Sequence, residues 1–445
     1  MSRRSPASPR RIGTSQRESI NSVVKRYCPM DPDKPQQMPP KAARKAPIIE
    51  IFFFFIEFTL LFFSILFLVT DCFTREESDI RCDDPDDTGQ TYCIKKCGKY
   101  NERVTGNRTI WREISMFKFD EKQIMDSVEQ VMNHRQEIEQ AADKLSKEDF
   151  QNIFLIGIGG TYAVSSMIEA TFRPISKIPV FLENAADTAS VGNASLTNKS
   201  LVIVSSMSGQ TPELTAAIRV AKEKGAIVVG FIDVADCEMA GLADQNFAFP
   251  GSTYGKYFIF VAAYLWKNGL FDCYEEAVCA FSQLGSAMVE IGKAADCKAR
   301  AFAEKHWNDD MLYVSGAGNL WGCAYTLAMC YMEEMLWMRT KSISCADFFH
   351  GTLEVIEKNT NLLVMVGEDA ARCQAERVIR FANTVCDNVE VFDISDYETP
   401  GVDADMRKLF APMIMQAVYA RIVANLEDLR KHPTEIRRYY HRLAY

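Results

Sequence analysis

Two short stretches, "LIGIGGT" at 155–161 and "YVSGAGN" at 313–319, each run an apolar segment straight into a glycine turn, and they recur about 158 residues apart. An apolar run that stops at glycine and resumes as a helix-like stretch reads as a strand–turn–helix unit, since glycine supplies the tight backbone path. Further β-branched or apolar runs follow each one: 152–156, 177–182, 200–205 and 226–232, then 311–315, 342–345, 362–366 and 388–394. Helix-like stretches alternate with them, which is the pattern of a parallel α/β sheet. A period this long marks a duplicated domain rather than a short-repeat solenoid. Residues 255–297 read as helical, and the last forty as a helical tail ending "RRYYHRLAY". The expected fold class is therefore α/β, with two tandem subdomains, each a parallel sheet flanked by helices in a flavodoxin-like three-layer arrangement.

The N-terminal quarter follows different rules. Residues 1–46 hold 11 Lys and Arg against 3 Asp and Glu, so in a chain of net charge −9 the remainder carries −17. An acidic body argues against nucleic acid as a partner. The basic, Ser- and Pro-rich arm has no apolar period and is expected to be disordered. From 51 to 69, "IFFFFIEFTLLFFSILFLV" is about as long as a bilayer-spanning helix, with Glu57 as its one charge. The basic flank at 41–45 would keep the N-terminus cytoplasmic and send the rest of the chain across. Cys72, Cys82, Cys93, Cys97 and the sequon at Asn107 would suit that far side. The nine cysteines from Cys237 onward are scattered singly through apolar segments and read as reduced core thiols of an intracellular protein. The two halves of the sequence thus disagree about compartment, and Met116 is a plausible independent start for the body. The expected organisation is a basic arm over 1–46, a membrane helix over 47–70, a Cys-containing linker over 71–115, a first subdomain over 116–297, and a second with the helical tail over 298–445.

Three features could carry chemistry. "GIGGTY" at 157–162 places glycines where a strand ends and a helix begins, so that backbone N–H groups and the helix dipole meet an anion. Alone it is weak, because it lacks the third glycine of a dinucleotide fingerprint and has no Walker lysine. "VSSMSGQTPE" at 204–213 sets Ser205, Ser206, Ser208 and Thr211 around one glycine at a helix start. Helix capping explains one or two of these hydroxyls, whereas such a cluster, with the backbone amides and the helix dipole, can give several hydrogen bonds to a phosphate. The helix-like "TLAMCYMEEMLWM" at 326–338 is apolar apart from Glu333 and Glu334, whose side chains point about 100° apart, so one reaches solvent and the other is carried inward. An inward carboxylate in a dry pocket suits a general base that must return its proton. His350 follows sixteen residues later; any single acid or histidine is more often a surface charge or a satisfied core group.

In this order, "GIGGTY", "SSMSGQT", Glu334 and "DFFHGTLE" resemble the sugar isomerase (SIS) fold, above all the fructosamine-6-phosphate deglycases and the isomerase half of glucosamine-6-phosphate synthase. The resemblance covers roughly 116–445. It implies a first phosphate turn at Gly159, Gly160 and Thr161, and a phosphate loop at Ser206, Ser208, Gly209 and Thr211. It also implies a proton-shuttling Glu334, a His350 that reaches into a neighbouring subunit's site, and a supporting role for Glu354. A homodimer, a sugar-phosphate substrate and neither cofactor nor metal follow from the same resemblance. Thr352 stands where proline is usual, Asp347 where glutamate is usual, and Met207 where the loop is usually polar; the substrate's non-phosphate end is the part these changes touch. No glutaminase domain precedes the body, which disfavours an ammonia-channelling synthase. The activity expected is hydrolysis of a 6-phosphorylated fructosamine to glucose 6-phosphate and free amine. Glucosamine-6-phosphate deaminase, aldose–ketose isomerase, a non-catalytic sugar-phosphate regulator and a membrane-tethered interaction protein stay open beside it.

Overall fold

The computed structural model describes residues 93–97, 100–105, 108–113, 116–440 and 442–443. The basic arm and the apolar run at 51–69 lie outside them. The described residues fall into two units that part between Ile114 and Ser115.

In the first unit, the stretch expected as a linker contains a three-stranded antiparallel sheet. Strands β1 (Cys93–Cys97), β2 (Tyr100–Thr105) and β3 (Arg108–Glu113) pair in sequence order, Cys97 opposite Tyr100 and Thr105 opposite Arg108. Two residues separate each pair of strands, Gly98-Lys99 and Gly106-Asn107, a spacing that favours hairpins.

The second unit opens with helices α1 (Glu121–Asn133), capped by the Asp120 carboxylate, and α2 (Arg135–Leu145). The first α/β repeat follows: β4 (Asn152–Gly157), α3 (Gly160–Phe172), β5 (Val180–Asn184), α4 (Ala185–Ser190), β6 (Ser200–Ser206), α5 (Pro212–Glu223), β7 (Ile227–Ile232), α6 (Glu238–Leu242) and the short β8 (Gln245–Asn246). All its strands are parallel, in the order β5-β4-β6-β7-β8. Helices α7 (Thr253–Lys267) and α8 (Tyr274–His306) connect to the second repeat. That repeat comprises β9 (Leu312–Gly316), α9 (Trp321–Tyr325) running on into a π-helix (Thr326–Met335), β10 (Thr340–Ser344), β11 (Asn361–Val366), α10 (Arg372–Ala382) and β12 (Asn388–Asp393). Its sheet is also parallel, in the order β10-β9-β11-β12. Helix α11 (Ala404–Arg430) ends the regular structure.

Both sheets are therefore wound alike: the chain leaves the first strand toward one edge and returns to its other side. This creates one topological switch point between β4 and β6 and another between β9 and β11, and such points are where open α/β sheets bind ligands. The central strands β4 and β6 are buried along their whole length, as their apolar centres at 153–156 and 201–204 require. One apolar cluster joins residues of both sheets to α7, α8 and α11. The two repeats meet where α3 and α9 pack: a Cβ added at Gly322 would stand 2.5 Å from the Ala163 carbonyl oxygen. Among the described residues one helix, α11, is long and apolar enough to cross a membrane, and 83% of its most apolar window is buried inside the unit.

Two expectations need correction. The tail is helical only to Arg430: Lys431 takes a left-handed conformation (φ 51°), Pro433 follows, and no helix is described beyond. Of the nine cysteines from Cys237 onward, Cys279, Cys297 and Cys373 are exposed rather than core residues.

Candidate active site

The strand β4 ends in the first glycine turn. Gly157 cannot carry a side chain, because its Cβ would meet the Tyr162 amide nitrogen at 2.5 Å, and Gly159 takes φ 58°. The Thr161 hydroxyl donates to the Ile158 carbonyl (3.0 Å) and accepts from the Ile158 amide (3.1 Å). Its hydroxyl thus holds the turn, leaving the first amides of α3 as the groups free to face an anion.

The serine loop leaves the end of β6, directly across the switch point. Ser205 turns inward and is buried. The Ser206 Oγ accepts from the Gly209 amide at 2.9 Å and the Ser208 Oγ from the Gln210 amide at 3.2 Å. A hydroxyl that accepts in this way keeps its own hydrogen to donate outward, so both can still serve a phosphate. Gly209 has φ 64°, and a Cβ there would lie 2.7 Å from Cys237 Sγ. Thr211 occupies the N-cap position of α5 without making a side-chain cap. Met207, at the loop's tip, is 74% exposed.

A residue the sequence reading passed over supports this loop from behind. The Asp233 amide donates to the Ser206 carbonyl (3.0 Å), and the Asp233 carboxylate meets Lys256 at 2.7 Å. Lys256 is buried on α7 and also donates to the Phe249 carbonyl. Burial pushes its pKa down against the opposing pull of Asp233, and burial likewise pushes the Asp233 carboxyl up. A single lysine inside "TYGKYFIF" was the available signal.

The π-helix packs against the glycine turn. Cβ atoms added at Gly159 and Gly160 would lie 4.0 Å from Met329 Cε and 3.7 Å from Cys330 Sγ. Burial, reinforced by the nearby charges of Glu334 and Glu333, pushes the Cys330 thiol up to about 12, so it is no nucleophile at neutral pH. Glu333 faces outward and accepts from Thr340 (2.7 Å). Glu334 is turned in, but its surroundings differ from the dry pocket expected: its side chain keeps 31% of its exposure, and Arg437 of the tail donates from Nε to Oε1 at 2.9 Å. π-Helical turns concentrate at functional sites, and this one carries both acids, Glu333 facing outward and Glu334 turned toward the tail.

His350 ends a 3₁₀ turn (Phe348–His350), exposed, with no side-chain hydrogen bond among the described residues. Within one chain it makes no hydrogen bond to Glu334. Glu354 is exposed on the next turn, and Thr352, buried, accepts from Lys341 at 3.2 Å. The structure thus brings together the glycine turn and the helix carrying Glu334, sets the serine loop on the strand next to that turn, and leaves His350 and Glu354 on a separate exposed segment. Among the described residues no group of three or more His, Cys, Asp or Glu could hold a metal ion.

The second switch point is arranged differently. Asp369, in the loop after β11, accepts from the Asn319 amide (3.1 Å) and the Ala371 amide (3.0 Å), so a carboxylate of the chain itself occupies the glycine turn after β9. Burial raises its pKa against the two amide bonds.

Two parallel switch-point sheets with a hydroxyl-rich loop and a helix acid frame this site, and residues 144–254 match the family model of the SIS domain. Among particular relatives, fructosamine deglycase FrlB of Bacillus subtilis is 26% identical over 69% of this chain and 97% of its own length. Fructoselysine 6-phosphate deglycase of Escherichia coli is 22% identical over 71% of this chain and 94% of its own. A solved Bacillus subtilis structure, described as a candidate phosphosugar isomerase, superposes with a TM-score of 0.67 at 25% identity, covering 73% of this chain and all of that one. The chain carries a SIS domain and is an enzyme.

Proposed function

We propose that the chain is a sugar-phosphate enzyme of the deglycase/isomerase class, and specifically a deglycase for a 6-phosphorylated fructosamine. One observation carries the reading. The glycine turn and the serine loop flank a single switch point, and the helix bearing Glu334 packs on that same glycine turn. The likeness to fructosamine deglycase, which spans nearly that protein's whole length, supports this choice of substrate class.

In this reading the phosphate rests on the amides of Gly160 and Thr161 and on the loop of Ser206, Ser208, Gly209 and Thr211, which directs the open-chain sugar toward Glu334. Glu334 removes a proton from C1 of the ketoamine and returns it at C2, while O2 gains a proton and the amine nitrogen loses its own, which converts the C2 carbonyl to a hydroxyl and the C1–N bond to an imine. Water adds to the imine, and the amine leaves with glucose 6-phosphate as the aldehyde product. His350 assists ring opening, and its exposed, unbonded position fits a residue that completes the site of a second copy of the chain, with Glu354 behind it. A homodimer in the cytosol is the setting this requires; the membrane helix expected at 51–69 lies outside the described residues.

Replacing Glu334 by Gln tests the reading directly. Glucose 6-phosphate release from fructoselysine 6-phosphate is expected to fall by about 10²–10⁴-fold, the usual contribution of one acid–base group. Normal turnover by Glu334→Gln would refute it. Release of fructose 6-phosphate and ammonia from glucosamine 6-phosphate, in preference to the deglycase reaction, would assign the chain to the deaminases instead.

A further inference from the structure

Glu334 presents two oxygens, and the structure treats them unequally. Oε1 receives Arg437 Nε at 2.9 Å, while Oε2 has no hydrogen-bond partner among the described residues. Arg437 is held in turn: its Nη1 donates to the carbonyls of Thr434 and Ile436, the latter at 3.2 Å. The tail that carries it is fastened on both sides. Trp337, just past the π-helix and in a left-handed backbone conformation (φ 55°), contacts both the His432 ring (centroids 4.3 Å apart) and the Arg438 guanidinium (4.2 Å from its ring centre). Lys118 binds Glu427 at 2.6 Å and Glu435 at 2.7 Å, fixing the start of the tail.

We infer that Arg437 is the positioning residue of the proton-carrying Glu334: it pins Oε1 and thereby aims Oε2 as the oxygen that moves the proton between adjacent carbons. This rests on the reading of Glu334 given above. A carboxylate that must visit two neighbouring carbons without losing its proton to water needs one oxygen held still, since misplacing a reacting group by about 1 Å can cost 10²-fold. A bond from a guanidinium supplies that hold in a fixed direction, because its planar N–H fork cannot swivel as an ammonium does. The tail is therefore part of the active site, although it lies 103 residues from the acid it serves.

The test uses full-length Arg437→Ala, Arg437→Lys and Glu334→Gln with fructoselysine 6-phosphate, each checked by thermal melting. Arg437→Ala is expected to lose about 10²-fold in kcat while KM stays within about twofold, the pattern of an interaction that matters beyond substrate binding. Guanidinium ion, added below the concentration that shifts the melt, should restore part of that rate with saturation, and Arg437→Lys should retain more activity than Arg437→Ala. An inactive Glu334→Gln beside an Arg437→Ala of unchanged kcat overturns this assignment alone. So does a loss that Arg437→Lys shares in full, that guanidinium leaves untouched and that follows a lowered melting temperature, for that would mark a purely structural tail contact. A normally active Glu334→Gln overturns both the reaction and the assignment.

Discussion

Asp393, the last residue of β12, shows how a single carboxylate of the second repeat is tuned. Burial pushes its pKa up, but Arg372 bonds both of its oxygens, Nη1 to Oδ1 at 3.0 Å, and Ser395 adds its amide at 2.9 Å and its hydroxyl at 2.7 Å. The partners prevail, and the carboxyl lies below its ordinary value. A depressed carboxyl stabilises the fold above its unfolded pKa, near 4, and loses that contribution as pH falls through the folded value. Asp393→Asn should therefore cost about 1–3 kcal/mol at neutral pH, with the gap to wild type closing in acid; urea unfolding at neutral and acid pH measures it. A gap that persists below the folded pKa would mean that the ionic form contributes nothing. At this scale the sequence marked the pair Glu333 and Glu334 as the two acids of an otherwise apolar helix, leaving the choice between them to the resemblance, and marked the serine loop by its density of hydroxyls. It could not mark Arg437, because nothing local distinguishes that arginine from the others near it in "RRYYHRLAY".

Elements were the most legible level. The eight runs named from sequence coincide within a few residues with β4 to β7 and β9 to β12; the interior strands β4, β6, β7 and β11 are the clearest, since a strand buried on both faces carries a continuous apolar stretch. The two-residue β8 carries no such signature. Helix periodicity located the segment around Glu334 but could not distinguish π from α winding, because the choice depends on which carbonyl each amide finds rather than on residue type. The irregular tail had a visible signal in Pro433, outweighed by the helix-like composition around it. The contact between α3 and α9 has no sequence signal beyond a glycine inside a helix. Alanine ordinarily improves a helix over glycine by about 1 kcal/mol, yet at Gly322 its Cβ would meet a backbone oxygen at 2.5 Å, Met167 Cγ at 2.6 Å and Ser166 Oγ at 2.8 Å. Gly322→Ala should thus destabilise the protein, by about 1–3 kcal/mol, and lower its melting temperature. An unchanged or higher melting temperature would show that the two repeats separate there at no cost.

For the whole body, duplication produced two switch points but not two equivalent sites. The first is open at its glycine turn, whereas the second already holds the Asp369 carboxylate between two amides. Calorimetric titration with glucose 6-phosphate should therefore saturate at one equivalent per chain; two equivalents would show that Asp369 yields its place. A different kind of consequence follows from the bond between Glu334 and Arg437. Their separation of 103 residues means that a ribosome making roughly 5–20 residues per second delivers the acid some 5 to 20 seconds before its partner. Throughout that interval the nascent chain holds the glycine turn, the serine loop and the acid without the guanidinium bonded to that acid, so the pair is among the last contacts translation allows this body to make.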